Sequence, residues 1–254
     1  MLGAIAGDII GSVYEFAPIK STEFPLFSLS STFTDDTVLT VAIADALIYE
    51  KDICSTLKEY TKNFPDRGYG RSFFTWAMSD SKAPYNSWGN GSAMRTSPIG
   101  FFFKEEKQIL EYANRFASVT HNHLHGISGA QAVSLAIFLA RNGSGKKEIR
   151  RTITSKFDYD LSKSLSDIRP SYQFDVSCQG SIPQAILAFL ESSDVENAIR
   201  LAISLGGDAD TMAAIAGAIA EAYYGGVPDH IAKQTRQRLP KAFLSVIDDF
   251  YTRI

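Results

Sequence analysis

Two clusters of acidic residues stand directly before apolar segments of the chain. The first is Thr34-Asp35-Asp36-Thr37 and the second is Gly207-Asp208-Ala209-Asp210-Thr211. Each places two carboxylates and a hydroxyl at the predicted start of a helix, where free N–H groups and the positive end of the helix dipole favour negative charge. Asp and Thr are also common N-cap residues, so capping alone explains one side chain of each cluster.

The second acid in each cluster exceeds what capping requires. If the two helix starts meet in space, the four carboxylates repel each other unless cations neutralise them. Oxygen ligands without His or Cys favour Mg²⁺, Mn²⁺ or Ca²⁺ over zinc or copper. Two such ions roughly 3.5–4 Å apart orient substrate oxygens and lower the pKa of a bridging water. The pattern therefore predicts a two-metal hydrolytic centre, on the condition that the two clusters converge.

The N-terminal segment carries Gly7, Gly11 and Glu15 at intervals of four residues, with Asp8 almost on the same helical face. Two interpretations stay open. In the first, the glycines allow a close helix–helix contact and Glu15 is a solvated residue at the end of the helix. In the second, Glu15 is a general base or orients a water beside the metals.

The segment Asn90-Gly91-Ser92-Ala93-Met94-Arg95 is a polar loop with a glycine hinge before a helix, and its N–H groups could hold a phosphate or ribose. Trp88 either stacks on a base or fills the core. The alternating His121, His123 and His125 resemble a metal pattern, but a polar loop explains them equally well. Zinc is disfavoured because no Cys or acidic ligand lies at a matching spacing.

The composition excludes several classes of protein. The chain has 254 residues with 45% hydrophobic and 21% charged residues, which is typical of a soluble globular protein and not of a collagen-like or disordered one. Lys and Arg total 25 against 28 Asp and Glu, so nucleic acid is disfavoured as a partner. The only cysteines, Cys54 and Cys178, match no metal spacing and favour a reducing compartment. We therefore expect a cytoplasmic protein without membrane attachment.

Helical periodicity dominates the chain and strand signals are scarce, which predicts a single all-α domain over residues 1–254. Two segments, 65–98 and 150–179, are predicted to be rich in loops; the second either lines a site or is a surface excursion. The predicted helices cover Val38–Tyr49, Gln108–Val119, Ile127–Arg141, a segment starting near Pro183 with Ser181 as its cap, Val195–Leu205 with a Ser193/Glu196 capping box, Asp208–Gly225 and the amphipathic stretch Pro228–Tyr251.

Five motifs occur in an order that is similar to the ADP-ribosylglycohydrolases, a family that includes the dinitrogenase reductase-activating glycohydrolase. They span Gly3 to about Gly226 and comprise Gly7-Asp8-Ile9-Ile10-Gly11 through Glu15, Thr34 to Thr37, Asn90 to Arg95, Thr120-His121 and Gly207 to Thr211. The resemblance implies a compact orthogonal multi-helix bundle with a dinuclear Mg²⁺ or Mn²⁺ centre in a cleft.

The resemblance also implies roles for individual residues. Glu15 lies beside the metal-bound water or the substrate and acts in catalysis together with Asp35 and Asp210. The implied metal ligands are Thr34, Asp35, Asp36, Asp208, Asp210 and Thr211. The implied substrate contacts are Ser87, Trp88, Asn90, Gly91 and Ser92, which hold the diphosphate and riboses, and His121, which contacts the ADP-ribose.

The expected reaction is metal-assisted hydrolysis of the bond between C1 of the distal ribose and an acceptor, which releases ADP-ribose. The expected partner is an ADP-ribosylated protein or a small-molecule conjugate, and the expected state is a monomer. The chain is compact beside many family members, so the loops that select the acceptor differ. Two alternatives stay open: a non-catalytic ADP-ribose-binding or structural protein on the same scaffold, and a two-metal phosphohydrolase that releases AMP.

Overall fold

The computed structural model describes residues 1–254 and contains fourteen α-helices, one short 3-10 helix at Asn90–Ser92 and no strand. The predicted all-α class is therefore confirmed. The helices are α1 Leu2–Gly11, α2 Asp35–Ile48, α3 Ile53–Asn63, α4 Arg71–Met78, α5 Ser97–Phe102, α6 Glu106–Ala117, α7 Leu124–Arg141, α8 Lys146–Phe157, α9 Leu165–Ile168, α10 Cys178–Glu191, α11 Val195–Ile203, α12 Ala209–Tyr224, α13 Asp229–Arg236 and α14 Lys241–Tyr251. None of these helices is both long and apolar enough to cross a membrane.

The backbones of α1 and α12 are in direct contact, and glycine residues make this close packing possible. A Cβ atom built on Gly7 would lie 2.1 Å from the carbonyl oxygen of Ala213, and one on Gly11 would lie 2.6 Å from that of Ala209. Gly3, near the other end of α1, meets Gly217 in the same way farther along α12, so the two helices are antiparallel. The close helix–helix contact expected for Gly7 and Gly11 is therefore present.

Replacing Gly7 with alanine is expected to destabilise the protein by about 3 kcal/mol or more, because the added methyl group has to push two rigid helix backbones apart. Urea denaturation measures this as a loss in the free energy of unfolding. The matched control is Gly145→Ala, where nothing lies within 4 Å of the new Cβ. Gly145 is the N-cap of α8, so its replacement is expected to cost about 1 kcal/mol or less. Equal losses in the two variants would contradict the packing argument.

The helices α2 and α12 form the buried centre of the fold. Residues Asp36 to Ile48 of α2 and all of α12 up to Glu221 are buried, and a helix that is apolar on every side belongs in a core. Helix α1 packs against both. Because α1 runs antiparallel to α12, its C-terminal end lies beside the start of α12. The acidic starts of α2 and α12 thus lie near the same end of α1.

One predicted helix start and two predicted caps are wrong. Helix α10 begins at Cys178 with Ser177 as its N-cap, whose hydroxyl accepts the Gly180 N–H at 2.9 Å, and Pro183 lies inside the helix. Helix α11 is capped by Asp194, which accepts the Asn197 N–H at 2.7 Å, because a carboxylate one residue nearer the helix displaces Ser193 from that role.

Other differences concern short or interrupted helices. The stretch 228–251 forms two helices because Pro240 cannot continue α13. The predicted loop segment 65–98 contains α4, which is only eight residues long and has Gly70 as its N-cap. The segment 150–179 contains the end of α8, the single turn α9 and a loop that returns toward the 3-10 helix, where Asn90 donates its N–H to the carbonyl of Val176 at 2.7 Å.

Candidate functional site

A cavity of about 390 Å³ opens where the ends of α1, α2 and α12 meet. The acids in its wall come from three separate parts of the chain: Glu15 from the loop after α1, Asp35 and Asp36 from the first turn of α2, and Asp208 and Asp210 from the start of α12. Helix α1 ends at Gly11, so Glu15 does not extend a helical stripe as the sequence pattern predicted. It enters the cavity through the loop that follows the helix.

The two acidic clusters converge, which satisfies the condition for a shared site. The Thr211 hydroxyl donates to Oδ2 of Asp36 at 3.2 Å, and this bond joins helix starts 175 residues apart in sequence. Carboxylate oxygens of Glu15, Asp208 and Asp210 all lie within 4.8 Å of one another. Of all groups of His, Cys, Asp and Glu side chains in the protein, only this one has the spacing of a metal site.

Asp8 holds the start of α2 in place, a role that the sequence pattern did not reveal. Its carboxylate is fully buried and accepts the N–H and hydroxyl of Thr34 at 3.0 and 2.7 Å. It also accepts the N–H of Thr37 at 3.1 Å and the Thr37 hydroxyl. The one available signal was an acid inside an otherwise apolar helix, because such a buried carboxylate needs several donors.

The replacement Asp8→Asn is expected to destabilise the protein by about 2–4 kcal/mol, because an amide NH₂ group would then face backbone N–H donors that need an acceptor. The same change is expected to weaken divalent-cation binding by displacing the first turn of α2. Urea denaturation and calorimetric titration with Mn²⁺ measure the two effects. The control is Asp52→Asn at the exposed N-cap of α3, where asparagine is an equally good cap. Matching behaviour of the two variants would exclude this role for Asp8.

The hydroxyl of Thr34 is engaged within the protein. It donates to Oδ1 of Asp8 and accepts the Asp36 N–H at 3.3 Å as the N-cap of α2. Thr34 does not line the cavity. The other five residues predicted as metal ligands do line it: Asp35, Asp36, Asp208, Asp210 and Thr211.

The start of α12 is held by Asn90 of the 3-10 helix. The Asn90 side-chain amide donates to Oδ2 of Asp208 at 2.7 Å and to the Ser181 hydroxyl at 3.2 Å. On the neighbouring turn, Oδ1 of Asp210 accepts the N–H of Thr211 at 2.9 Å. Asn90 is predicted to contact substrate, and the structure places it in the cavity wall with its amide already bonded to an acid of the site.

Burial raises the pKa of every acid in the cavity, and mutual repulsion adds to it. The pKa of Glu15 rises to about 7, with burial as the largest cause and the charges of Asp210 and Asp8 next. The pKa of Asp208 rises to about 6 for the same main reason, although hydrogen bonds from its neighbours oppose the rise. Both groups therefore titrate near neutrality in the absence of a counter-charge.

The pKa values of the remaining acids are raised as well. The pKa values of Asp35 and Asp36 lie well above their usual range because of burial and the nearby charge of Asp210. Burial and the Asp208 carboxylate raise the pKa of Asp210 well above its usual range as well. No Lys or Arg forms an ion pair with any of these residues, and Oδ1 of Asp36 is buried without a partner. A concentrated set of oxygen donors without a cationic partner is what hard divalent cations require.

The residues predicted to contact substrate separate into two groups. Ser87, Asn90, Gly91 and His121 line the cavity. Ser92 is fully buried outside the lining, and its hydroxyl donates to the Gly126 carbonyl at 2.7 Å. Trp88 is 52% exposed and also lies outside the lining. The cavity thus contains both the acids and most of the polar loop predicted to hold the substrate.

Several lining residues carried no recognisable signal in the sequence, among them Arg71, Phe73, Tyr85, Phe174 and Val176. Phe174 and Val176 belong to the loop between α9 and α10, so the interpretation of segment 150–179 as lining a site is the correct one. Their side chains are half-exposed at 49% and 48%. No local pattern could have selected them, because their place depends on how this loop packs against residues 88–90.

The three alternating histidines do not form a common metal site. His121 is buried in the cavity wall. His123 is the N-cap of α7, and its Nδ1 accepts the His125 N–H at 3.1 Å. This arrangement agrees with the polar-loop interpretation.

Comparisons with known proteins place this geometry in a family. The chain is 26% identical to the ADP-ribosylhydrolase ARH3 of Mus musculus, in an alignment covering 89% of this chain and 82% of the relative. It is also 26% identical to the ADP-ribosylarginine hydrolase Tri1 of Pseudomonas putida, with coverage of 89% and 69%.

A solved structure, described as an ADP-ribosylglycohydrolase-related protein complex, shares the fold with a TM-score of 0.73. It is 22% identical and the match covers 99% of this chain and 96% of the other. The model of the ADP-ribosylglycohydrolase family matches residues 1–254. The resemblance inferred from the five motifs is thus confirmed, and the chain belongs to the ADP-ribosylglycohydrolase family.

Proposed function

We propose that this protein hydrolyses the N- or O-glycosidic bond between ADP-ribose and a modified acceptor and releases free ADP-ribose. The observation that carries the proposal is the convergence of two distant acidic helix starts and Glu15 in one cavity of about 390 Å³. Membership of the family supports it, as do the relatives named as an ADP-ribosylhydrolase and an ADP-ribosylarginine hydrolase. The acceptor we favour is a protein side chain, with small-molecule conjugates as the second class.

The same residues fit a pair of Mg²⁺ or Mn²⁺ ions. The donor set is all oxygen, the acids lack cationic partners, and Oδ1 of Asp36 lacks any partner at all. The residues that would hold the ions are the five predicted ligands in the cavity wall, Asp35, Asp36, Asp208, Asp210 and Thr211. Thr34 lies outside that wall and would serve by capping the start of α2. Divalent cations bound there would stabilise negative charge on substrate oxygens and supply a water of lowered pKa.

Glu15 has the properties of the proton-handling group. Its carboxylate lies in the cavity wall and is only half-buried, and its pKa of about 7 suits a base that exchanges protons near neutral pH. In the proposed step, Glu15 accepts a proton from the attacking water while the oxygen of that water bonds to C1 of the distal ribose. The bond from C1 to the acceptor breaks through an oxocarbenium-like state, and the acceptor atom leaves with the proton that Glu15 took from the water.

The remaining wall suits the rest of an ADP-ribose molecule. Ser87, Gly91 and His121 offer polar groups for the diphosphate and riboses, and Asn90 keeps Asp208 in place. Phe73, Tyr85 and Phe174 supply apolar surface that excludes water from the chemistry. Ser92 contributes by holding its loop in place through the hydrogen bond to the Gly126 carbonyl. The exposed side chain of Trp88 offers a contact for a larger substrate.

The decisive experiment incubates the purified protein with ADP-ribosylated arginine, ADP-ribosylated serine and ADP-ribosylated nucleic acid, with Mg²⁺ or Mn²⁺ and separately with a chelator. Chromatography of the products distinguishes the candidate functions. Free ADP-ribose that disappears with the chelator is the expected result. AMP as the product would instead establish a phosphohydrolase, and binding of ADP-ribose without any product would establish a non-catalytic protein.

A further inference from the structure

A chain of hydrogen bonds behind the cavity connects Arg95, Thr120 and His121. Nη2 of Arg95 donates to Oγ1 of Thr120 at 2.8 Å, and the same oxygen lies 2.8 Å from Nδ1 of His121. Arg95 is only 1% exposed, and His121 and Thr120 are also buried. Water therefore has little access to these atoms, and the protein itself decides where each proton lies.

The direction of both bonds follows from the chemistry of the three groups. A guanidinium has donors and no acceptor, so the Thr120 oxygen must accept from Arg95. The Thr120 hydroxyl has one proton to give, and Nδ1 of His121 lies 2.8 Å from it. The nearby Tyr85 phenol keeps its own proton and can donate to the same Thr120 oxygen, so it does not need the Thr120 proton. Nδ1 is then the acceptor nitrogen of the ring, and the ring proton resides on Nε2.

We propose that Arg95 and Thr120 are positioning residues that hold His121 as the neutral Nε2–H tautomer, so that it donates one hydrogen bond to an oxygen of the bound ADP-ribose. This inference rests on the proposed function for the identity of the ligand. It adds to that function the protonation state of His121 and the two residues that set it.

The free nitrogen of His121 faces the site. Nε2 has no hydrogen-bond partner within the protein, and a Cβ atom built on Gly91 would lie 3.3 Å from it. His121 and Gly91 both line the cavity. A donor at this place complements a phosphate or ribose hydroxyl oxygen, and the small residues Gly89 and Gly91 leave room for such an oxygen to approach.

The surroundings also keep the ring uncharged. Burial is the largest cause that lowers the pKa of His121 well below its usual range, and the charge of Arg95 adds to it. The groups that face the ring are Arg95 and Tyr85, whose ring centroid lies 5.9 Å away. No carboxylate bonds to either ring nitrogen. His121 therefore behaves as a neutral donor across the pH range in which exposed histidines titrate.

The test is ¹⁵N NMR of the histidine side chains in the complete protein, first without ligand. The signals of His121 are assigned by their loss in His121→Gln. We expect Nδ1 of His121 to show the shift of an unprotonated ring nitrogen and Nε2 that of a protonated one, without titration between about pH 5 and 8. A proton on Nδ1, or a charged ring at neutral pH, would overturn the proposal.

Two variants separate the hydrogen bond from mere packing. Thr120→Val removes the hydroxyl while keeping the shape, and is expected to produce a population with the proton on Nδ1. Thr120→Ser restores the hydroxyl and is expected to restore the wild-type spectrum. Circular dichroism checks that both variants are folded. A pure Nε2–H tautomer in folded Thr120→Val would show that Thr120 does not set the protonation state.

Calorimetric titration with ADP-ribose provides the second readout. We expect the dissociation constant to rise roughly tenfold in Thr120→Val, which corresponds to the loss of one hydrogen bond to the ligand. In Thr120→Ser we expect it to return to the wild-type value. Unchanged affinity in a Thr120→Val protein of altered tautomer would refute the donor role. If the wild-type protein does not bind ADP-ribose at all, the proposed function fails, whereas the tautomer assignment is still decided by the NMR spectrum.

Discussion

Asp210→Asn is expected to lower the rate of ADP-ribose release by at least about 10³-fold, because it removes a carboxylate from the centre of the cation-binding set. Asparagine has nearly the same shape, and its Oδ1 can still accept the Thr211 N–H that Asp210 accepts at 2.9 Å. The helix start is thus retained while the charge is lost. Steady-state kinetics with saturating Mg²⁺ or Mn²⁺ measures the effect.

The stability of the same variant provides an independent check. The charge of Asp210 raises the pKa values of Glu15, Asp35 and Asp36. Removing this charge relieves repulsion, so metal-free Asp210→Asn is expected to be more stable than the metal-free wild type. The control Asp52→Asn, at an exposed helix start outside the site, is expected to change neither activity nor stability. Turnover at the wild-type rate in Asp210→Asn would remove the residue from the mechanism.

In the metal-free protein, the free energy of unfolding is expected to fall as the pH rises from about 4 to 8. The pKa values of Asp208, about 6, and Glu15, about 7, are higher in the folded chain than their usual values. The folded state therefore binds protons more tightly than the unfolded state, and protonation stabilises it. As the pH rises through these pKa values the protons are lost, and the buried carboxylates repel each other. Urea denaturation in a chelator at several pH values measures the trend.

Divalent cations are expected to reverse this loss. At 100 times its dissociation constant, an ion bound only to the folded state adds about 2.7 kcal/mol, so two ions add roughly 5 kcal/mol. For a protein of this size the midpoint of thermal unfolding then rises by roughly 10 °C. NaCl at equal ionic strength is the control, since general screening acts weakly on buried charges. An equal shift with NaCl, or stability that rises with pH in the chelator, would contradict a cation site.

The long buried helices were predictable because their signals are local. The predictions for α2, α6, α7, α11 and α12 agree with the structure to within about three residues at each end. Periodic apolar residues and nearby caps lie within a few residues of one another, so no knowledge of the fold is needed to recognise them. The choice between competing caps was harder. The caps in the structure are Ser177 and Asp194 in place of the predicted Ser181 and Ser193.

The amino-acid sequence by itself determined the all-α class, the family motifs and the chemical character of the site, because residue type and short-range spacing carry that information. The tertiary structure alone decided which of these residues meet. The backbone contact between α1 and α12 joins segments about 200 residues apart, and it brings Asp8, Glu15 and both acidic helix starts to one cavity. Distances across such separations depend on the packing of whole helices, which no local pattern records.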